Sequence, residues 1–167
     1  MPGTRERARR SACPINAALE VLGDRWSLLI ARDLMFAGFR TYKEFLSSEE
    51  GIATNILADR LQQLETSGII TSQRDPADGR RLVYRLTRKG LDLAPVLLEL
   101  SRWSVKHEAG VCPPDTLRRW EADRESFMAE LREQWMKDRG AAGVAAGRPS
   151  SGKPPAAPRS RRRGKQI

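Results

Sequence analysis

The chain has 167 residues, enough for one domain with a core and an extension but short for two, and 31% of them are charged. Its net charge of +9 sits in the ends: four arginines against one glutamate give residues 1–12 a charge of +3, residues 140–167 hold seven Lys/Arg and no acid, and 13–139 is left at −1. No apolar run approaches the roughly 20 residues of a membrane span, no apolar stretch follows the N-terminal arginines as in a signal peptide, and two cysteines with one histidine, His107, form no CxxC or Cys/His cluster.

Residues 1–12 read as a flexible basic arm. Pro14 suits the first turn of a helix whose Ile15, Ala18, Leu19 and Leu22 recur at helical spacing before Gly23 closes it. Asp24 can cap a second helix with Trp26, Leu29, Ile30 and Leu34 on its apolar face, ending at Ala37-Gly38. Phe39-Arg40 form a minimal strand before Thr41-Tyr42-Lys43-Glu44, a capping box in which hydroxyl and carboxylate each satisfy a free backbone N–H. That helix is brief, ending near Ser48.

After Glu49-Glu50-Gly51, residues 53–67 place Leu57, Leu61 and Leu64 on one stripe, and Gly68 stops the helix. Two β-biased runs, Ile69 to Arg74 and Leu82 to Leu86, flank Pro76-Ala77-Asp78-Gly79-Arg80-Arg81, a hairpin over about 69–87. Thr87 caps a predicted long helix, 88–107, that is apolar on more than one side and should pack against two things at once. Asp115, after Cys112-Pro113-Pro114, can cap a last helix over 115–138 that carries Leu117, Trp120, Phe127, Leu131 and Trp135, with Arg124 interrupting the stripe. Residues 140–167, Ala/Gly/Pro/Ser with arginines, read as a disordered basic tail.

The expected fold is mainly α (α+β): a winged helix-turn-helix over 13–107 with dimerisation helices at either end. A helix-turn-helix followed by a hairpin with a basic tip is the layout of a DNA reader. With the three leucines inward, Asn55, Ala58, Asp59 and Gln62 face out and Thr54 stands at the helix start, where amides and hydroxyls can pair with base edges. Asp59 would repel phosphate and is expected in an internal ion pair. Arg80 and Arg81 at the hairpin tip are candidates for minor-groove or phosphate contact, and Arg40, Thr41, Lys43 and Arg60 for further phosphate contacts. Within the near-neutral body, Gly79 to Lys89 carries five Lys/Arg and no acid. A solvated helix face and an idle loop are the plain alternatives.

Cys13-Pro14, Gly23-Asp24-Arg25-Trp26, Gly51-Ile52 before Leu57-Ala58-Asp59-Arg60-Leu61, Leu64-Glu65 before Gly68-Ile69, and Tyr84-x-Leu86-Thr87-x-x-Gly90 follow one another in an order and spacing that resembles the HxlR-type family of bacterial winged-helix regulators, relatives of MarR. The resemblance covers roughly 13–107. It implies a homodimer on a pseudo-palindromic operator of double-stranded DNA, usually as a repressor and sometimes as an activator. It also implies that Cys13, at the matching place, senses oxidants or reactive electrophiles. Two features depart from the pattern: Ala53 stands where the family commonly has Ser, which would shift the cap to Thr54, and the 115–138 helix with its tail exceeds the usual length.

The residues themselves point the same way for Cys13, since a helix N-terminus and four preceding arginines favour a reactive sulfur, while a small buried apolar residue is the bland reading. Cys112 reads as inert, although an intersubunit disulfide with Cys13 stays open. The dimer interface is expected at Leu19, Leu98, Trp103, Trp120, Phe127 and Leu131, the aromatic stripe of the last helix being interface or core. No Ser/His/Asp or Cys/His pairing and no phosphate-binding glycine loop is present, so no enzyme and no cofactor are expected. Rival readings are a regulator gated by a small molecule at the dimer helices and a winged helix used for protein–protein contact. The cytoplasm is the expected compartment.

Overall fold

The computed structural model of the chain describes residues 11–143, so the expectations for most of the arm and for 144–167 lie outside the described residues. The elements run α1 (Pro14–Leu22), α2 (Arg25–Arg32), a π-helical turn (Asp33–Ala37), α3 (Tyr42–Leu46), α4 (Thr54–Thr66), β1 (Ile70–Arg74), β2 (Leu82–Leu86), α5 (Arg88–Leu91), α6 (Ala94–His107), α7 (Asp115–Ala122) and α8 (Arg124–Gly143). The winged helix-turn-helix is therefore present, with α3 and α4 as its helix pair. Asp24 caps α2 by accepting from the N–H groups of Trp26 and Ser27. The Thr41–Glu44 capping box forms in full, and Gly38, with φ at 73°, ends the π turn in the left-handed region.

β1 and β2 pair antiparallel from Ile70 opposite Leu86 to Arg74 opposite Leu82. Thr41 bridges to Val83, and Tyr84 N–H donates to the Arg40 carbonyl at 2.7 Å, so the segment before α3 supplies a one-residue third strand. The core lies between the helix pair, α2 and the sheet: Ile30, Leu34, Phe45, Leu57, Leu61, Leu64, Ile69, Ile70, Tyr84 and Leu86 are all buried. Phe45 and Tyr84 meet edge to face at 6.0 Å. At the root of the wing, a Cβ on Gly90 would stand 2.2 Å from the Ile69 carbonyl oxygen, so only glycine lets α5 approach this closely.

The C-terminal half differs from the expected layout. The 88–107 helix is two helices, because Pro95 has no N–H to give Leu91 and its ring would strike that carbonyl; the chain restarts with Pro95 in the first turn of α6. The 115–138 helix is also two, broken at extended Asp123, whose carboxylate accepts from Ser126 N–H at 3.0 Å. Pro114 occupies the cap position of α7, where Asp115 is the first helical residue, and α8 runs on through 140–143, which the sequence had assigned to the tail.

A further difference concerns four of the residues expected at the dimer interface. Leu98, Trp120 and Phe127 are buried together with Leu117 inside this one chain, with Leu131 packed against them. The turn at Asp123 folds α8 back, so the aromatic stripe closes over α6 of its own molecule. Trp135 continues the same face onto the main core, and its Nε1–H donates to the Leu86 carbonyl at 2.9 Å.

Candidate nucleic-acid interface

α4 is held by polar ties as well as by its buried leucines. Arg60 reaches back to Asp24, the cap of α2, at 3.2 Å, and also pairs with Asp59 beside it. Arg32 on α2 pairs with Glu50 in the turn before α4 at 2.7 Å and with Asp33 at the same distance. Tyr42 Oη donates to the Thr54 carbonyl at 2.6 Å, joining the start of α3 to the start of α4. At the far end, Glu65 accepts from both the N–H and the hydroxyl of Ser72 on β1, and Lys89 donates to the Ser67 carbonyl at 2.7 Å. Burial pushes the Asp24 carboxyl up, but hydrogen bonds from Ser27, Trp26 and Arg60 outweigh it and hold it below the usual range.

With the helix fixed at both ends, its outer face is defined. Thr54, Asn55, Ala58, Asp59 and Gln62 are exposed, as their spacing predicts. The side-chain amides of Asn55 and Gln62 have no hydrogen-bond partner among the described residues, which leaves a donor and an acceptor on each. Asp59 is engaged by Arg60 and Gln63, the internal pairing expected of it. The cap does not move to Thr54: Ala53 remains the N-cap, with no side-chain bond, so the first N–H groups of α4 are left open toward the outer surface.

The cations sort sharply. Arg80 projects from the hairpin tip with its side chain 98% exposed, touching only Asp78 at 3.9 Å. Arg81 is turned back onto Asp75, and Asp75, bonded by Ala77 N–H and by Arg81, is held below its usual range. Arg85 is half-buried on β2; burial, with Arg40 nearby, lowers its pKa. Arg88 pairs with Asp92. Lys43 is exposed on α3 beside the Thr41 cap.

Arg40 and Arg60, expected as phosphate ligands, both lie in ion pairs within the chain. Arg60 is a strut between α2 and α4. Arg40 donates to the carbonyls of Leu34 and Phe39 and pairs with Asp138 on α8 at 2.6 Å, so its guanidinium is committed inward. Sequence reasoning had no signal for that partner, 98 positions away, nor for the Tyr42–Thr54 or Glu65–Ser72 bonds.

Large apolar side chains are also exposed on α1 and on α6. Ile15 and Leu19 are 71% and 59% exposed, and Val96, Leu100 and Trp103, at helical spacing on α6, stand largely uncovered, Trp103 at 56%. Cys13 is the exposed N-cap of α1 and Cys112 is exposed between α6 and α7; both are free thiols. No group of three His, Cys, Asp or Glu that could hold a metal occurs among the described residues, and none of the helices described is long and apolar enough to cross a membrane.

Comparison with known proteins adds a family and relatives. The model described as HxlR-like helix-turn-helix matches residues 21–110. The HTH-type regulator sll1512 of Synechocystis is 38% identical over 90 residues, which are 54% of this chain and 66%, just under two thirds, of that protein. The HTH-type transcriptional regulator YodB of Bacillus subtilis is 36% identical over 93 residues, 55% of this chain and 82% of its own. Among solved structures, the redox regulator HypR in its oxidized form superposes with a TM-score of 0.51 at 26% identity, covering 57% of this chain and 98% of that one.

Proposed function

We infer the function from one premise: the chain belongs to the HxlR-like helix-turn-helix family, and is a DNA-binding transcriptional regulator of that type. From it we propose a homodimer that reads a pseudo-palindromic duplex operator, more often to repress than to activate. The observation that carries this reading is the outer face of α4, where Asn55 and Gln62 present unspent amides on a helix pinned at both ends. An amide of that kind can bind adenine through two hydrogen bonds in the major groove.

In this reading α4 enters the groove, Thr54 and the open N–H groups at its start meet phosphate, and Lys43 with Thr41 adds a backbone contact from α3. Arg80 reaches the flanking minor groove or phosphate; Arg81 steadies the hairpin through Asp75 and joins only where DNA displaces that pair. Leu19 and Trp103, with Ile15, Val96 and Leu100, supply the dimer contact, each burying side-chain surface worth about 1.5–3 kcal/mol when fully covered. Two recognition helices about one helical turn apart follow from that symmetry.

Cys13 is the proposed sensor for oxidants or electrophiles. Its exposure as the free-thiol N-cap of α1, two residues before the exposed Ile15, and the likeness to a redox regulator support the idea. A gel-shift titration on DNA flanking the gene tests the whole reading: salt-sensitive, sequence-preferring binding is expected, and its absence would sink it. Cys13→Ser protein should bind equally well and ignore diamide; an unchanged diamide response would end the sensor proposal.

A further inference from the structure

The cleft between α8, the π turn and β2 holds cations that the chain leaves unanswered. Three arginines and one carboxylate line it, Arg40, Arg85, Arg139 and Asp138, a net charge of +2 (3 − 1). Arg40 and Asp138 are spent on each other at 2.6 Å, and the Leu34 and Phe39 carbonyls take the other end of the Arg40 fork. The Arg85 side chain is half-buried, yet it makes no hydrogen bond or ion pair among the described residues. Burial and the Arg40 charge both disfavour its cation; Asp138 and Asp75 attract it without pairing. Arg139 is exposed and lies over the Trp135 ring, 4.9 Å from the centroid, with no carboxylate partner among the described residues.

A backbone donor faces the same cleft. Thr87 N–H donates to the Ile69 carbonyl, which continues the register of Ile70 opposite Leu86. Bonded and non-bonded positions alternate in an antiparallel pair, so Arg85 turns its backbone to β1 while Tyr84 and Leu86 turn theirs to the other edge. There Tyr84 N–H finds the Arg40 carbonyl, and the Leu86 carbonyl takes Trp135 Nε1–H. The Leu86 N–H has no acceptor among the described residues, although Leu86 is only 6% exposed and lines the cleft. A buried N–H of that kind is rare. The cleft has a volume of about 40 Å³. At the 10–15 Å³ a single water needs, that is room for roughly three waters or one carboxylate or phosphate head, and too little for a drug-sized ligand.

We propose that this cleft binds a small oxyanion, a carboxylate or a phosphate, held by the Arg85 guanidinium and the Leu86 N–H, with Arg139 of α8 as the second cation. Two unpaired guanidiniums and an open amide are the donor set such an ion accepts from, and charge-assisted bonds to it offset the desolvation of Arg85. Occupancy joins α8 to β2, the second strand of the wing. The site goes beyond the DNA-reader reading and does not depend on it.

NMR of the isotope-labelled full chain tests this, with sodium phosphate or sodium acetate exchanged for sodium chloride at constant ionic strength. The Leu86 amide and Arg85 Nε–H resonances should shift and saturate. Saturation with phosphate alone identifies a phosphate ligand, with acetate alone a carboxylate, and with both a site that takes either head. Arg85→Gln should weaken the saturating anion by about tenfold or more, read at the Leu86 amide. Arg139→Gln, at an exposed position outside the core, should weaken it by a smaller factor and decides alone if Arg85→Gln loses its fold. No shift, a shift that grows linearly without saturating, or an affinity unchanged in the folded variants overturns the inference.

Discussion

The half of the molecule built on α2, α3, α4 and the wing differs from the exposed sides of α1 and α6. In the first, large apolar side chains are covered and most cations are answered by a carboxylate or carbonyl; what is left open is polar, as at Thr54, Asn55, Gln62, Lys43 and Arg80. In the second, the open groups are apolar, at Ile15, Leu19, Val96, Leu100 and Trp103. Surface chemistry thus separates two kinds of partner: hydrogen-bonding groups await a polar polymer, and oily helix faces await another oily face.

The strongest way to break that contrast is to charge the apolar face. Trp103→Asp with Leu19→Asp should convert dimer to monomer in sedimentation and cut operator affinity on the order of 100-fold, with circular dichroism unchanged, since each side chain sits outside the core. Unaltered mass and affinity would mean the face serves something else. Next in size, Asn55→Ala should cost about 1–3 kcal/mol on the operator and almost nothing on a random duplex. Equal losses on both would remove Asn55 from base reading.

A third change probes whether the reading half is held as the ion pairs imply. Asp24→Ala removes the cap of α2 and the anchor of Arg60, for a stability loss of about 1–2 kcal/mol in urea unfolding at pH 7. Because the folded carboxyl is held below its ordinary value, its contribution is full above about pH 4 and disappears as pH falls through the lower folded value. The variant should therefore lose less stability than the native chain between pH 5 and 3; parallel losses would show that Asp24 is not the titrating tie. The smallest effect is at the tip: Arg80→Ala should lower the salt slope by about 1 and leave unfolding unchanged. A drop in stability would show Arg80 to be part of the fold.

What the sequence disclosed, and what it did not, follows the range of the interactions. The capping box at Thr41–Glu44, the Asp24 cap, the leucine stripe of α4 and the hairpin are local patterns, and all are where their spacing placed them. The break at Asp92-Leu93 was also local, marked by Pro95, but the apolar pattern on either side masked it. The aromatic stripe was ambiguous for a physical reason: Trp120 and Phe127 bury equally well against another subunit or against their own α6, and only the turn at Asp123 decides. The basic residues were the least legible. Arg40 and Arg60 look like any cation beside a recognition helix until their carboxylates, contributed by α8 and by the α2 cap, are seen.

Arg40 shows that such a commitment depends on shape as well as on charge. Its fork spans two main-chain carbonyls and one carboxylate at once, and one of those carbonyls, that of Leu34, lies within the π turn. A lysine there would carry the same charge on a single nitrogen and could not hold all three. Position 40 is thus a knot of three segments of chain, tied by shape, and the exchange usually thought mildest for an arginine would untie it.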